Sequence, residues 1–264
     1  MYSDPPRRSL FVVWQDTASR LWHPVGRLTR QEDEYLFEYT NGAKNSPRFA
    51  PFAGMREIDC IYRSDTLFPL FANRIIATSR PEYPKVMRWL GFDEEWTDGF
   101  EVLARSGGQR RTDTLRLVPG PLRTAADRYE VMFFGHGIRY LSEDDRARLL
   151  TLESGERLFP MHDCQNPADS SAVLLRTGDP MSFTGYCPRY LAEDFLKLLE
   201  SSTDAKDVEI SIVRVNRDAP PQMQLLCKVQ APWPHGFEPF SGEEFQPIEA
   251  DSSSAIETQV AAVL

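Results

Sequence analysis

The chain has 264 residues, of which 41% are apolar and 11% aromatic, with 20 prolines, four cysteines and a formal charge of −9. That apolar content excludes a disordered chain, and the length suits two small modules better than one large domain. The charge excludes broad electrostatic adhesion to nucleic acid, which draws on many lysines and arginines set against phosphates, so any such contact must run through a local pocket.

Cys60, Cys164, Cys187 and Cys227 stand far apart with no C-x-x-C pair, and "MYSDPPRRSL" lacks the apolar core of a secretion signal. No run approaches the roughly 18–20 apolar residues of a membrane span. A soluble, cytoplasmic protein with reduced thiols and no membrane contact is expected.

Between residues 10 and 40 the runs "LFVVW", "HPVGRL" and "EYLFEY" are short, apolar and punctuated by glycine and proline, the pattern of an antiparallel meander. "YRSDTLFPLFANRII" predicts a helix capped by Ser64, with Leu67, Phe68, Phe71 and Ile75 on one face. "SRPEYPKVMRWLGF" predicts another, with Pro81 early and Gly91 at its end. The first module therefore covers 1–96, strands first and helices after. Residues 97–128 form an arginine-rich connection (105, 110, 111, 116, 123, 128) holding two predicted strands, "FEVLAR" and "TLRLV".

The second module, 129–235, opens with the strand "YEVMFF" and a helix "SEDDRARLL" capped by Ser142, with acids in its first turn. "RLFPM", "AVLLR" and "SFTGY" read as strands, and "PRYLAEDFLKLLES" as a helix with Pro188 at its start and Leu191, Phe195, Leu198 and Leu199 on one face. "VEISIVRV" and "MQLLCKVQ" form a hairpin by their alternation. So many short strands around two helices fit a small barrel, and the class is α+β. From 236 to 264 an acidic, serine-rich, disordered tail is expected.

Phosphate loops, dinucleotide fingerprints, H-E-x-x-H and G-x-S-x-G elbows are all missing, so no enzyme and no cofactor is expected. His162 and Cys164 would share a strand face, but a metal ion needs two further ligands and Cys187 is the one near candidate, so packed thiols and a surface histidine are the preferred reading. The carboxylates of "DEEWTD", Asp93 to Asp98, read as a solvated loop. "GIRYL" sets Arg139 beside Tyr140 at a strand end, either as a ligand contact or as punctuation. In "NPADSSAV" the side chains of Asn166 and Asp169 can bond local backbone donors and hold a tight turn. In "GYCPRYLAEDF" a glycine, Tyr186 and Arg189 stand at a helix N-terminus, which favours an anion.

Taken in order, "GIRYL", "NPADSSAV" and "GYCPRYLAEDFLKLL" resemble the HIRAN domain, over about residues 129–232. The resemblance implies a small β-barrel with flanking helices, found in helicase-like and DNA-repair proteins, whose eukaryotic members grip the 3′-hydroxyl end of single-stranded DNA. Carried over, it makes Arg139 and Tyr140 backbone and stacking contacts, Asp169 the hydroxyl acceptor and Arg189 the phosphate partner, with Asn166 holding the loop. The position before Asp169 is aromatic in the DNA-end binders and is Ala168 here, where Tyr186 would partly replace the missing ring.

The first module has a likeness of its own. "VGRLTRQEDEYLFEYTNGA", "FAPFAG" and "SDTLFPLFANRI", residues 10–76, resemble the N-terminal subdomain of HipA-type kinases, without any catalytic loop of a kinase. Two functions follow from these resemblances. One is an adaptor that binds single-stranded DNA ends in repair or in genome or phage defence, with a protein docked through residues 10–90. The other is a protein-binding inhibitor or antitoxin-like partner of a HipA-type kinase that touches no nucleic acid, marked by an exposed groove near Trp14, Trp22, Phe68 and Phe71. Aromatics at that spacing are more often core.

Overall fold

A computed structural model describes residues 8–92, 98–110, 112–202, 207–249 and 255–257. They form two compact units, each discontinuous in sequence: residues 1–80, 97–120 and 240–264 in the first, residues 81–96 and 121–239 in the second. Among the described residues no helix is long and apolar enough to cross a membrane.

The first unit begins with the meander β1 (Arg8–Gln15), β2 (Trp22–Gln31) and β3 (Glu34–Tyr39), then α1 (Asn41–Lys44), β4 (Ile61–Ser64) and α2 (Pro69–Ala72). The next helix, α3 (Tyr83–Trp89), ends at left-handed Gly91 as its sequence predicts, but it packs in the second unit. The first unit continues with α4 (Gly99–Ser106) and β5 (Leu115–Pro119). Its sheet runs, from one edge, β4-β3-β2-β1-β5, all antiparallel neighbours, with a last strand from the chain's end, Ala255–Glu257, added parallel to β4. Phe37 centres the core, with the rings of Tyr39, Phe71 and Phe52 at 5.0, 5.6 and 5.8 Å.

Three expectations fail in this unit. The helix expected from Ser64 is a single turn, because Ser64 belongs to β4, paired with Tyr35, and Pro69 opens the helix later. "FEVLAR" is a helix, since the Asp98 carboxylate accepts from Phe100 N at 3.0 Å and Gly107 closes the end at φ 70°. The stretch expected as a frayed tail is packed from 240 to 249: the rings of Phe240 and Phe245 lie 4.9 and 5.1 Å from Phe11, and Ile248 N donates to Tyr39 O at 3.0 Å. The aromatic groove near residues 10–90 is largely core as well, with Phe68 and Phe71 buried and Trp22 exposed. Of "DEEWTD", all but Asp98 lies outside the described residues, as does Arg111.

The second unit contains β6 (Leu122–Arg123), β7 (Arg128–Phe134), a 3₁₀ turn (Ile138–Tyr140), α5 (Glu143–Leu149), β8 (Arg157–His162), β9 (Val173–Arg176), β10 (Phe183–Tyr186), α6 (Arg189–Ser201), β11 (Glu209–Val215) and β12 (Leu225–Pro232). The Ser142 hydroxyl caps α5 by accepting from Asp145 N at 3.0 Å. Strand order is β10-β9-β8-β11-β12-β7-β6, antiparallel throughout. The sheet curls without a full closing ladder. One bridge, between His136 just past β7 and Tyr186 of β10, joins its two sides, so the expected barrel is an α+β unit with an open sheet. Under it, α6 buries Leu191, Phe195 and Leu198. Helix α3 is tied to the β11–β12 connection: Asn216 Nδ2 donates to Trp89 O at 2.9 Å and Trp89 Nε1 to Asp218 Oδ1 at 2.8 Å.

Candidate functional site

The bridge is where the first and third motifs meet. His136 N donates to Tyr186 O and Tyr186 N to His136 O, both at 2.8 Å. Gly185 permits it: its φ is +125°, and a Cβ there would stand 2.6 Å from His136 O. Gly137, at φ +73°, lies against the ring of Tyr186, 3.0 Å from where its own Cβ would be. From this left-handed glycine the chain enters the 3₁₀ turn, which buries Ile138 and exposes Arg139 and Tyr140. Tyr140 is 75% exposed. The Arg139 guanidinium lies 4.6 Å from its ring centroid and donates to its hydroxyl. The strand end expected here is a tight turn that lifts a cation and a ring into solvent.

The second motif reaches the same tyrosine. Tyr186 OH donates to Asp163 Oδ2 at 3.0 Å, and Asn166 Nδ2 donates to the same oxygen at 3.1 Å. Burial, and then this bond to a carboxylate, raises the Tyr186 phenol above its usual range. Asn166 Oδ1 accepts from Ala168 N at 3.0 Å, and Asp169 Oδ1 from Ser171 N at 3.1 Å, so both side chains make the local turn bonds read from sequence. The remaining oxygen of Asp169 faces Arg189 Nε at 3.4 Å, where Arg189 begins α6. Arg189 is 64% exposed and Asp169 19% on their side chains, so the cation sits at a rim and the acid behind it.

All six residues singled out by sequence thus lie on elements that contact Tyr186 or the loop bonded to it. Asp163 is the addition. Its local bond to Asn166 resembles an ordinary turn, and the bond that brings it to the site spans 23 positions. His162 Nε2 donates to Ser170 O at 2.8 Å, and Cys187 is buried with its thiol pushed well up by burial. Among the described residues no group of three or more His, Cys, Asp or Glu is placed to hold a metal ion. Chemically, the arrangement sets hydroxyl-accepting carboxylates beside solvent-facing guanidinium and phenol groups. A neutral hydroxyl suits the former, a phosphodiester suits the latter, and a dianionic terminal phosphate placed between Asp163 and Asp169 would be repelled.

Residues 129–233 match the family model of the HIRAN domain. Among solved structures, a protein from Lactobacillus plantarum aligns at 18% identity over 39% of this chain and 95% of that one, with a TM-score of 0.30. The HIRAN domain of human HLTF aligns at 15% identity over 41% of this chain and 83% of that one, with a TM-score of 0.29. A search of curated proteins returned no match. The family match does not reach residues 10–76, whose likeness to the HipA subdomain rests on sequence pattern alone. HIRAN domains are associated with nucleic-acid binding. Within this chain the likeness to the HIRAN family is confined to residues 129–233.

Proposed function

We propose that the second unit binds single-stranded DNA by its 3′-hydroxyl end, as an adaptor in DNA repair or genome defence. The observation that carries this reading is the convergence of the three motifs on Tyr186. The terminal base stacks on the exposed ring of Tyr140, the 3′-hydroxyl donates to Asp169, and Arg189 swings from Asp169 to the adjacent phosphodiester while Arg139 holds the next. Asn166 and Asp163 keep the loop and Tyr186 in place. Base stacking of this kind tolerates any sequence. Discrimination comes from charge, because a 3′-phosphate would bring its dianion against two carboxylates.

Fluorescence anisotropy with a labelled strand carrying a free 3′-hydroxyl, beside the same strand with a 3′-phosphate, tests this at physiological salt. Micromolar or tighter binding is expected for the first, lost with the 3′-phosphate and in Asp169→Ala. Negligible binding to both strands overturns the reading.

One observation favours a second reading for the first unit. Adjacent Leu21 and Trp22 are 53% and 38% exposed beside a cleft lined by Trp14, His23 and Pro47. That surface suits a docked protein, the role expected of an inhibitor or antitoxin-like partner of a HipA-type kinase. Retained partner binding by a chain that binds no DNA would favour it.

A further inference from the structure

The outer face of the sheet beside Tyr186 carries a row of groups that the end-binding site does not use. Opposed residues of antiparallel strands share a face, and the pairs here are Tyr186 with Leu174 and Leu174 with Met161 in one row, Phe183 with Arg176 and Arg176 with Phe159 in the next. Arg157, two residues before Phe159 on β8, is on the same side. The opposite face is core: Leu158, Val173, Leu175 and Thr184 are fully buried.

Sequence and packing give this outer face an unusual composition for a solvated sheet. The ring of Phe159 has the guanidinium of Arg157 at 5.4 Å and that of Arg176 at 5.2 Å from its centroid. Arg176 Nη1 donates to Thr177 O at 3.0 Å. Met161 is 40% exposed and Phe159, Phe183 and Arg176 are partly exposed. Strand alternation adds two carboxylates to this side, Glu209 at the start of β11, one residue past the Ile210–Leu158 pair, and Asp163 just past β8, which is bonded to Tyr186. Rings interleaved with guanidinium planes are the surface on which a single strand stacks its bases and lays its phosphates.

We infer that this face, from Tyr186 across Arg176 to Phe159, is a track for the single strand leading away from the bound 3′ end. The inference rests on the end-binding reading and adds to it a minimum strand length. Strand spacing of about 4.8 Å and a two-residue rise of about 6.8 Å put Phe159 roughly 12 Å from Tyr186. At about 3.4 Å per stacked nucleotide that is three to four nucleotides, beyond the reach of a dinucleotide.

The test compares a dinucleotide and a ten-residue oligothymidylate, both with free 3′-hydroxyls, as competitors of a labelled strand on the full chain. Phe159→Ala is expected to weaken the ten-residue strand by about 5- to 150-fold, the range set by one lost base stack. The dinucleotide and the preference for 3′-hydroxyl over 3′-phosphate should not change. Arg176→Gln is expected to lower the slope of log K against log salt by about 0.7 for the long strand, and it stands as the test if Phe159→Ala fails to fold by circular dichroism. Equal losses at both lengths, or none at either, overturn the track while leaving end recognition standing. A wild type that binds neither length overturns both. Self-association that disappears in Phe159→Ala would assign the face to a second copy of the chain and overturn the track.

Discussion

Each unit buries an aspartate, and the two solve the problem in opposite ways. Asp16, 4% exposed in the first unit, accepts from Arg48 Nε at 3.0 Å, Ser19 Oγ at 2.6 Å and Ala18 N at 3.1 Å. The Arg48 bond, then Ser19, holds its carboxyl well below the usual range. Asp194, 5% exposed on α6, receives a long hydrogen bond from the Tyr129 hydroxyl at 3.5 Å, and burial pushes it up to about 6. The first unit answers a buried charge with a cation, whereas in the second burial makes the acid hold its proton to higher pH. The same contrast runs through the arginines. Arg27, Arg30, Arg48, Arg63 and Arg74 of the first unit all face carboxylates. Around Tyr186, Arg139, Arg157 and Arg176 lie over rings. A whole-chain charge of −9 therefore bears on broad adhesion and not on a local pocket, where the placement of individual cations decides.

The strongest way to break the contrast is to remove a carboxylate that the first unit depends on. Arg74 is 2% exposed on its side chain, donating to Gly108 O at 3.0 Å and to both oxygens of Asp113, which is 32% exposed. Asp113→Ala would leave a buried guanidinium without its counter-charge, at a cost of about 3–5 kcal/mol. Arg74→Met leaves an acid that water can reach, and should cost clearly less. Urea denaturation of the two variants checks the order, and an equal or reversed order would mean that the pair is not the anchor of the turn at Gly107 and Gly108.

The local parts of this architecture were legible in the sequence. Ser142, Pro188 and Gly91 mark helix ends through bonds within one turn, and the alternation of β11 and β12 survives because each strand has one buried face. "FEVLAR" misled because Phe100, Val102 and Leu103 satisfy either period, while the deciding cap, Asp98, stands before the apolar run. The end of the chain misled because its acids outweigh Phe240 and Phe245, whose partner Phe11 is near the other end. Of the candidate site, the motif residues could be read, but their meeting at Tyr186 depends on one long-range bridge, and Asp163 and the Phe159–Arg176 face depend on registers that no single stretch reveals.

The two aspartates also predict opposite pH responses. Asp194 is raised in the folded state above its ordinary 3.8, so its favourable contribution is present in full below about 4 and is lost as pH rises through about 6. Lowering pH from 7 to 4.5 should stabilise the second unit by up to about 2 kcal/mol, and Asp194→Asn should flatten that dependence. Asp16 is depressed, so its contribution is present above the ordinary carboxylate range and disappears only in stronger acid. Thermal melts across pH 3–8 should therefore show stabilisation first and collapse later. A second-unit transition insensitive to pH between 7 and 5 would mean that Asp194 is hydrated.

The smallest effect separates structural cations from available ones most cleanly. Arg63 pairs with Glu34 at 2.9 Å with both side chains partly exposed, and Arg189 pairs with Asp169 at 3.4 Å while 64% exposed. Surface pairs of this kind contribute about 0–1 kcal/mol, so Arg63→Ala and Arg189→Ala should each shift the melting temperature only slightly. Their effects on binding should diverge, because Arg63 has nothing but its carboxylate to serve, whereas Arg189 leaves a loose pair to take a phosphate. Losing that contact should lower the salt slope of single-strand binding by about 0.7. If Arg189→Ala leaves both affinity and slope at wild-type values, Arg189 belongs with Arg63 as a structural cation, and the end-binding site must draw its phosphate contact from Arg139 alone.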